Sequence, residues 1–204
     1  MTRRSRPHGA CKRRSRKLAG PASPEKLKFR FEPLDRKKHN RAAFSCEHER
    51  LNTYIKEQAA QEIRKRVSAV YVLTADGKTI AGYYTLSQYS IDAGELPPET
   101  IQKLHIPKYD KLPATLLGRM ARSQEFKGTG VGELLLMGAL KRALDHSRNI
   151  ASLAVVVDAK DDGARAFYRS YGFIDLPDHP NRLFLPMRTI EQLFPDAAQD
   201  PDEA

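Results

Sequence analysis

The stretch from Leu116 to Phe173 constrains the fold more than any other part of the chain. A short apolar run from Thr115 to Ala121 precedes the turn Lys127-Gly128-Thr129-Gly130-Val131-Gly132. A helical stripe follows, with Val131, Leu134, Leu135, Gly138 and Ala139 at i, i+3, i+4 spacing and Arg142 predicted to end it. Leu136, Leu140 and Leu144 form a second apolar row, which predicts a well-buried helix. Residues 150–157 are almost continuously apolar and predict a central strand covered on both faces. Residues 161–171 then predict a short helix carrying Tyr168. Strands joined by helices in this order require a mixed α/β sheet.

The glycine turn has its own chemistry. The first N–H groups of a helix lack intrahelical partners and sit at the positive end of the helix dipole. A diphosphate placed there is held by main-chain donors. Glycines at 128, 130 and 132 leave no Cβ between ligand and backbone, and Lys127 adds a mobile charge. The same pattern is also compatible with a plain tight turn. It is not a P-loop, because no Lys-Ser or Lys-Thr follows the last glycine. It is not the dinucleotide fingerprint either, because its glycines alternate, which makes Asp158 at the end of the next strand a poor ribose ligand.

Elsewhere the pattern predicts a strand over 27–31, a helical turn over 35–44, and a helix over 46–66 with Leu51, Tyr54, Ile55, Ala59 and Ile63 on one stripe. Strands are predicted over 68–74 and 78–86, joined as a hairpin by Asp76-Gly77. A loop with a short helix is predicted over 87–113, and a closing strand pair over 173–176 and 183–187.

Charge is unevenly spread. Of the net +10, residues 1–28 carry +9, while residues 29–188 sum to +6 and residues 189–204 hold five acids and no base. Three regions follow: a disordered basic tail over 1–28, a folded domain over 29–194 and an acidic disordered tail over 195–204. The basic tail is either a source of non-specific attraction to nucleic acid or a solvated appendage. No apolar run is long enough for a bilayer, and no secretory pattern opens the chain. Cys11 and Cys46 lie in unlike contexts, so a reducing cytoplasmic setting is expected and no disulfide. The histidines show no ligand spacing, and no metal is expected.

Two motifs carry a resemblance. Residues 127–132 are similar to the (Gln/Arg)-x-x-Gly-x-(Gly/Ala) signature of the GNAT acetyltransferase superfamily, and Ala166-Phe167-Tyr168 with Gly172-Phe173 resembles its second signature. Phe44-x-Cys46, Leu51-Asn52-x-Tyr54-Ile55, residues 117–121, 156–161 and 182–187 resemble the GNAT-type toxins of bacterial toxin–antitoxin pairs. The likeness spans residues 29–194. Two positions depart from it: Glu47 stands where these toxins usually have glycine, and Lys127 replaces the usual glutamine or arginine.

The resemblance implies a mostly antiparallel sheet with helices on both faces and a splayed strand pair that binds acetyl-CoA. It implies coenzyme contacts from Met120, Ala121, Arg122, Lys127, Gly128, Thr129, Gly130, Val131 and Gly132, with an oxyanion donor near Met120 or Ala121. Tyr168 takes the place of the superfamily's general acid, with Tyr171 a weaker rival. A phenol, with a pKa near ~10, is protonated at neutral pH. Glu125, Asp158 and His146 are available as bases, but none has the context of one. An α-amine, near ~8 and lower beside an ester, needs only water as base, whereas a lysine amine, near ~10.4, needs more help. The resemblance therefore implies aminoacyl-tRNA as substrate, with translation blocked by acetylation. Arg119, Arg50, Lys56 and Arg64 are candidate RNA contacts, together with Lys65, Arg66 and the basic residues 36–41; an ordinary solvated face is the alternative for the helix charges. A ribbon-helix-helix antitoxin and a homodimer are the implied partners. Two other readings stay open at this point: a housekeeping acetyltransferase acting on a small amine or protein N-terminus, and a non-catalytic module binding CoA or nucleic acid.

Overall fold

The computed structural model describes residues 28–105 and 108–195. The expected basic tail up to residue 27, the acidic tail from 196 and Cys11 lie outside the described residues. Seven strands form one sheet: β1 (Arg30–Pro33), β2 (Ala69–Thr74), β3 (Gly82–Asp92), β4 (Lys111–Arg122), β5 (Ala154–Asp158), β6 (Ile174–Asp175) and β7 (Arg182–Pro186), in the order β1-β2-β3-β4-β5-β7-β6. All neighbours are antiparallel except β4 and β5. The helices are α1 (Glu49–Thr53), α2 (Ala59–Arg64), α3 (Pro98–Leu104), α4 (Val131–Ser147), α5 (Asp162–Ser170) and α6 (Met187–Leu193).

Both faces of the sheet are covered, as the apolar patterning requires. One face packs against α4, α5 and α6 around Leu135, Leu136, Leu140, Val155, Val157, Tyr168, Leu185 and Ile190. The other carries two separate clusters. Leu51, Tyr54, Ile55 and Ala59 cover β1–β3, while Leu96, Leu112, Leu176 and Phe184 cover Ile91 and Val156. β5 explains its valine run: Val155 and Val157 belong to the first face, Ala154 and Val156 to the second.

Several boundaries differ from the sequence reading. The first strand begins at Arg30, and residues 35–44 form turns without a helix. The helix over 46–66 starts at Glu49 and is interrupted by a π turn at Tyr54–Gln58. That wide turn coincides with Tyr54 donating its hydroxyl hydrogen to Glu62 Oε2 at 2.8 Å. Arg41 Nη1 donates to the carbonyls of Ile55 (3.3 Å) and Lys56 (2.7 Å) there, so Arg41 serves the fold rather than a free basic surface. Asp76-Gly77 is not a two-residue hairpin turn. Asp76 Oδ1 accepts from the N–H groups of Lys78 and Thr79, which closes a wider loop.

β3 and β4 run well past their predicted ends, pairing from Ser87↔Leu116 to Asp92↔Lys111. Their mutual ladder sustains a strand through Ser87-Gln88-Tyr89-Ser90, where local apolar pattern fades. β5 is shorter than predicted, and Ile150 is 63% exposed. Arg142 does not end the buried face of α4. Its guanidinium lies 3.9 Å from the Tyr71 ring centroid, and its Nε donates to the Tyr84 hydroxyl at 3.2 Å. Leu134, read as part of the buried stripe, is exposed.

Candidate active site

The sheet opens between β4 and β5. The two strands pair only at Thr115↔Val155, Leu116↔Val156 and Leu117↔Val157. Beyond Leu117, β4 continues to Arg122 with β3 alone as strand partner. A bulge marks the parting point: Leu86 pairs with Leu117 and Thr85 with Arg119, which leaves Gly118 as the extra residue. Half of the main-chain groups past this point face the opening and are available to a ligand. A cavity of about 160 Å³ lies there, lined by Cys46, Glu47, His48, Leu51, Met120, Ala121 and Arg122. The segment bearing Cys46 is fixed by Asn52, whose side chain accepts from Cys46 N and donates to Cys46 O.

The glycine turn sits at the end of β4. Gln124–Phe126 forms one tight turn, and α4 then starts at Val131 with Gly130 as its N-terminal cap. Gly128 and Gly130 hold φ of +78° and +79°, a region costly for other residues. A Cβ placed on Gly128, Gly130 or Gly132 would meet no atom within 4 Å, so the space before the loop is open to a ligand. This fits a diphosphate at the helix N-terminus. Among the loop's cations, Lys127 Nζ donates to Glu47 Oε1 at 2.8 Å. Arg122 is partly buried and donates from Nη1 to Ser123 O at 3.3 Å.

Tyr168 belongs to the core layer that also contains Val131 at the start of α4. Asp161 caps α5 by accepting from Ala164 N at 2.7 Å. The Tyr168 ring packs at 5.5 Å from Phe167 and 5.3 Å from Phe173, and the residue is 7% exposed. Its hydroxyl has no hydrogen-bond partner among the described residues. Burial pushes the phenol up to about 12. Tyr171 is much less enclosed.

Two clusters flank the opening on the opposite face, and sequence reading missed both. Arg119 lies 3.9 Å from the Tyr54 ring centroid and pairs with Glu62 Oε2 at 3.4 Å. Arg182 pairs with Asp158 and donates to the Tyr89 hydroxyl at 2.6 Å. Their members are too far apart in sequence for any local signal to join them. Arg50 and Arg64 are exposed and Lys56 half-buried. Larger cavities, of about 700 Å³ beside Arg66 and His146 and about 760 Å³ beside Asp35 and His39, include neither the glycine turn nor Tyr168. Among the described residues, no group of three or more His, Cys, Asp or Glu could hold a metal ion, and no helix is long and apolar enough to cross a membrane.

A sheet parted along a parallel strand pair, ending in a glycine-lined helix N-terminus with a phenol in the adjoining layer, defines an acyl-CoA-type acyltransferase. Residues 36–173 match the model of the acetyltransferase (GNAT) family, and the chain belongs to that family. It is 34% identical over 172 residues to a protein of Sinorhizobium fredii described as a probable toxin TacT, covering 80% of this chain and 94% of the relative. It is 30% identical over 154 residues to a tRNA-acetylating toxin of Mycobacterium tuberculosis, covering 76% and 90%. Among solved structures, AtaT complexed with acetyl-methionyl-tRNAfMet superposes with a TM-score of 0.74 at 30% identity, covering 82% of this chain and 99% of that one.

Proposed function

We propose that this acetyltransferase moves the acetyl group of acetyl-CoA to the α-amine of an aminoacyl-tRNA, as a cytoplasmic toxin that blocks translation and is neutralised by a ribbon-helix-helix antitoxin. The catalytic domain is residues 29–194. The observation that carries the reading is the parting of β4 from β5 beyond Leu117↔Val157, with the open glycine turn beside it. A tRNA-acetylating relative and an AtaT neighbour complexed with acetyl-methionyl-tRNAfMet support the substrate class.

The residue roles follow from placement. Main-chain amides of residues 128–132 hold the diphosphate, with Lys127 and Arg122 adding charge. The free edge of β4 at Met120 and Ala121 lines up the pantetheine arm and donates to the carbonyl oxygen as it gains charge. The α-amine is partly neutral near pH 8 and loses its proton to water. Its lone pair forms the C–N bond as the C–S bond breaks.

Tyr168 donates a hydrogen bond to the departing sulfur. A phenol near 12 is a weaker acid than a thiol, near ~8.5. Full proton transfer in the free enzyme is therefore uphill, and the hydroxyl acts by stabilising the thiolate until solvent supplies the proton. Arg50, Lys56, Arg64 and Arg119 contact the RNA, and the basic residues 1–28 add non-specific attraction.

The deciding experiment is in vitro translation with and without acetyl-CoA, followed by analysis of every charged tRNA. Arrest that depends on acetyl-CoA, with Nα-acetylated aminoacyl-tRNA recovered, is expected. Uninhibited translation with all charged tRNAs unmodified would refute the proposal.

A further inference from the structure

β5 ends on Asp158 where the sheet opens. Val157 before it is the last β5 residue paired with β4, and Asp158 itself pairs only on its other side, with Arg182 of β7. Side chains alternate along the strand. Val155 and Val157 lie in the layer holding Tyr168, whereas Ala154 and Val156 lie in the opposite one. Asp158 therefore projects from the face opposite Tyr168. Its link through Arg182 to Tyr89, which packs against that opposite cluster, agrees.

The carboxylate is held without being covered. Arg182 Nε donates to Oδ1 at 2.7 Å and Nη2 to Oδ2 at 3.2 Å, while Nη1 donates to the Tyr89 hydroxyl at 2.6 Å. The Asp158 side chain keeps 49% of its surface exposed. A carboxylate offers about four lone-pair sites, and a bidentate arginine takes two. Three other acids near the opening already have partners. Glu62 accepts from Tyr54 and Arg119, Glu47 from Lys127, and Asp161 caps α5.

We propose that Asp158 receives the α-ammonium group of the acceptor, opposite the side from which Tyr168 meets the sulfur; this rests on the aminoacyl-tRNA reading above. Arg182 and Tyr89 act through it, as positioning residues. The ammonium ion docks by a charge-assisted hydrogen bond and gives one proton to water. The neutral nitrogen forms the C–N bond to the acetyl carbon as the C–S bond breaks. Its surplus proton leaves to water, and the sulfur gains one from solvent beside Tyr168. The amide product is uncharged, so the same carboxylate that captures substrate no longer holds product.

The test compares a tRNA charged with an amino acid and the same tRNA charged with the matching α-hydroxy acid, which has no ammonium group. The full chain, Asp158→Asn and Asp158→Glu are measured for acetylation kinetics, for binding of both tRNAs and for acetyl-CoA affinity by calorimetry. The wild-type protein is expected to bind the aminoacyl form roughly tenfold more tightly. Asp158→Asn should raise KM by roughly tenfold, hold kcat within about threefold and bring the binding ratio near one. Asp158→Glu should recover part of the ratio, with acetyl-CoA affinity unchanged in both. A wild-type ratio retained in Asp158→Asn overturns the assignment. So does a loss in both variants together with loss of acetyl-CoA binding, which assigns the effect to folding. A wild-type protein that binds acetyl-CoA but acetylates no charged tRNA instead removes the substrate reading, and this assignment with it.

Discussion

Lys127 Nζ and Glu47 Oε1 lie 2.8 Å apart, although 80 positions separate the two residues in sequence. They are the two departures noted above within the motifs that resemble the toxins, and they meet as one ion pair. Lys127, with Arg122 nearby, holds the Glu47 carboxyl below the usual carboxylate range. A carboxylate thus competes for the cation that flanks the glycine turn.

Glu47→Gln should therefore tighten acetyl-CoA binding. An exposed pair contributes little, so the gain is up to roughly fivefold at low ionic strength and shrinks as salt screens the site. Calorimetric titration at two salt concentrations checks this. Weaker binding would place Glu47 among the coenzyme's own contacts.

Tyr168→Phe, which removes the hydrogen bond to the departing sulfur, should lower kcat by about 10²–10³-fold while acetyl-CoA affinity stays unchanged. The pH profile carries the sign. The phenol, raised to about 12, remains protonated below that pH, so its donor is present throughout the neutral and moderately alkaline range. Activity should rise with pH as the acceptor amine loses its proton and show no falling limb before about pH 10. A limb descending below pH 9 would mean that a group other than Tyr168 makes the hydrogen bond to the sulfur.

Gly130→Val introduces a branched side chain at φ +79°, in the space left open for the diphosphate. Backbone strain of about 1–2 kcal/mol should lower Tm slightly. Acetyl-CoA affinity should fall by at least about tenfold, because the side chain keeps the ligand from the amides. Thermal melting with and without the coenzyme separates the two effects.

Arg41→Ala should destabilise the fold without touching the coenzyme site. The carbonyls of Ile55 and Lys56 at the π turn lose their guanidinium donor. The cost is about 1–3 kcal/mol, read as a shift in the urea midpoint. An unchanged midpoint would mean that water serves those carbonyls equally well.

The order of elements from Thr115 to Tyr171 was legible because hydrophobic period is a local property. The i, i+3, i+4 stripe of α4 and the valine run of β5 announce buried faces within a few residues. Element ends were less legible. β3 runs on through Ser87-Gln88-Tyr89-Ser90 because β4 lies beside it, which no propensity in those four residues encodes. The π turn at Tyr54–Gln58 was hidden too, since its stripe reads as an ordinary helix and its stabilising Arg41 lies outside that helix.

For the site, the glycine turn was visible in the residues themselves, while its role and that of the Tyr168 phenol were read from the resemblance their contiguous motifs carry. Folding decided everything that depends on which strand lies next to which. The register of β5 against β7 sets Asp158 across from Arg182, and the end of β4–β5 pairing at Leu117↔Val157 puts that carboxylate at the opening. Likewise Arg119 finds Glu62, and Glu47 finds Lys127, only after the sheet has formed. A side chain's own stretch states which face it takes; the partner it meets is set by sheet order and register, and these exist only in three dimensions.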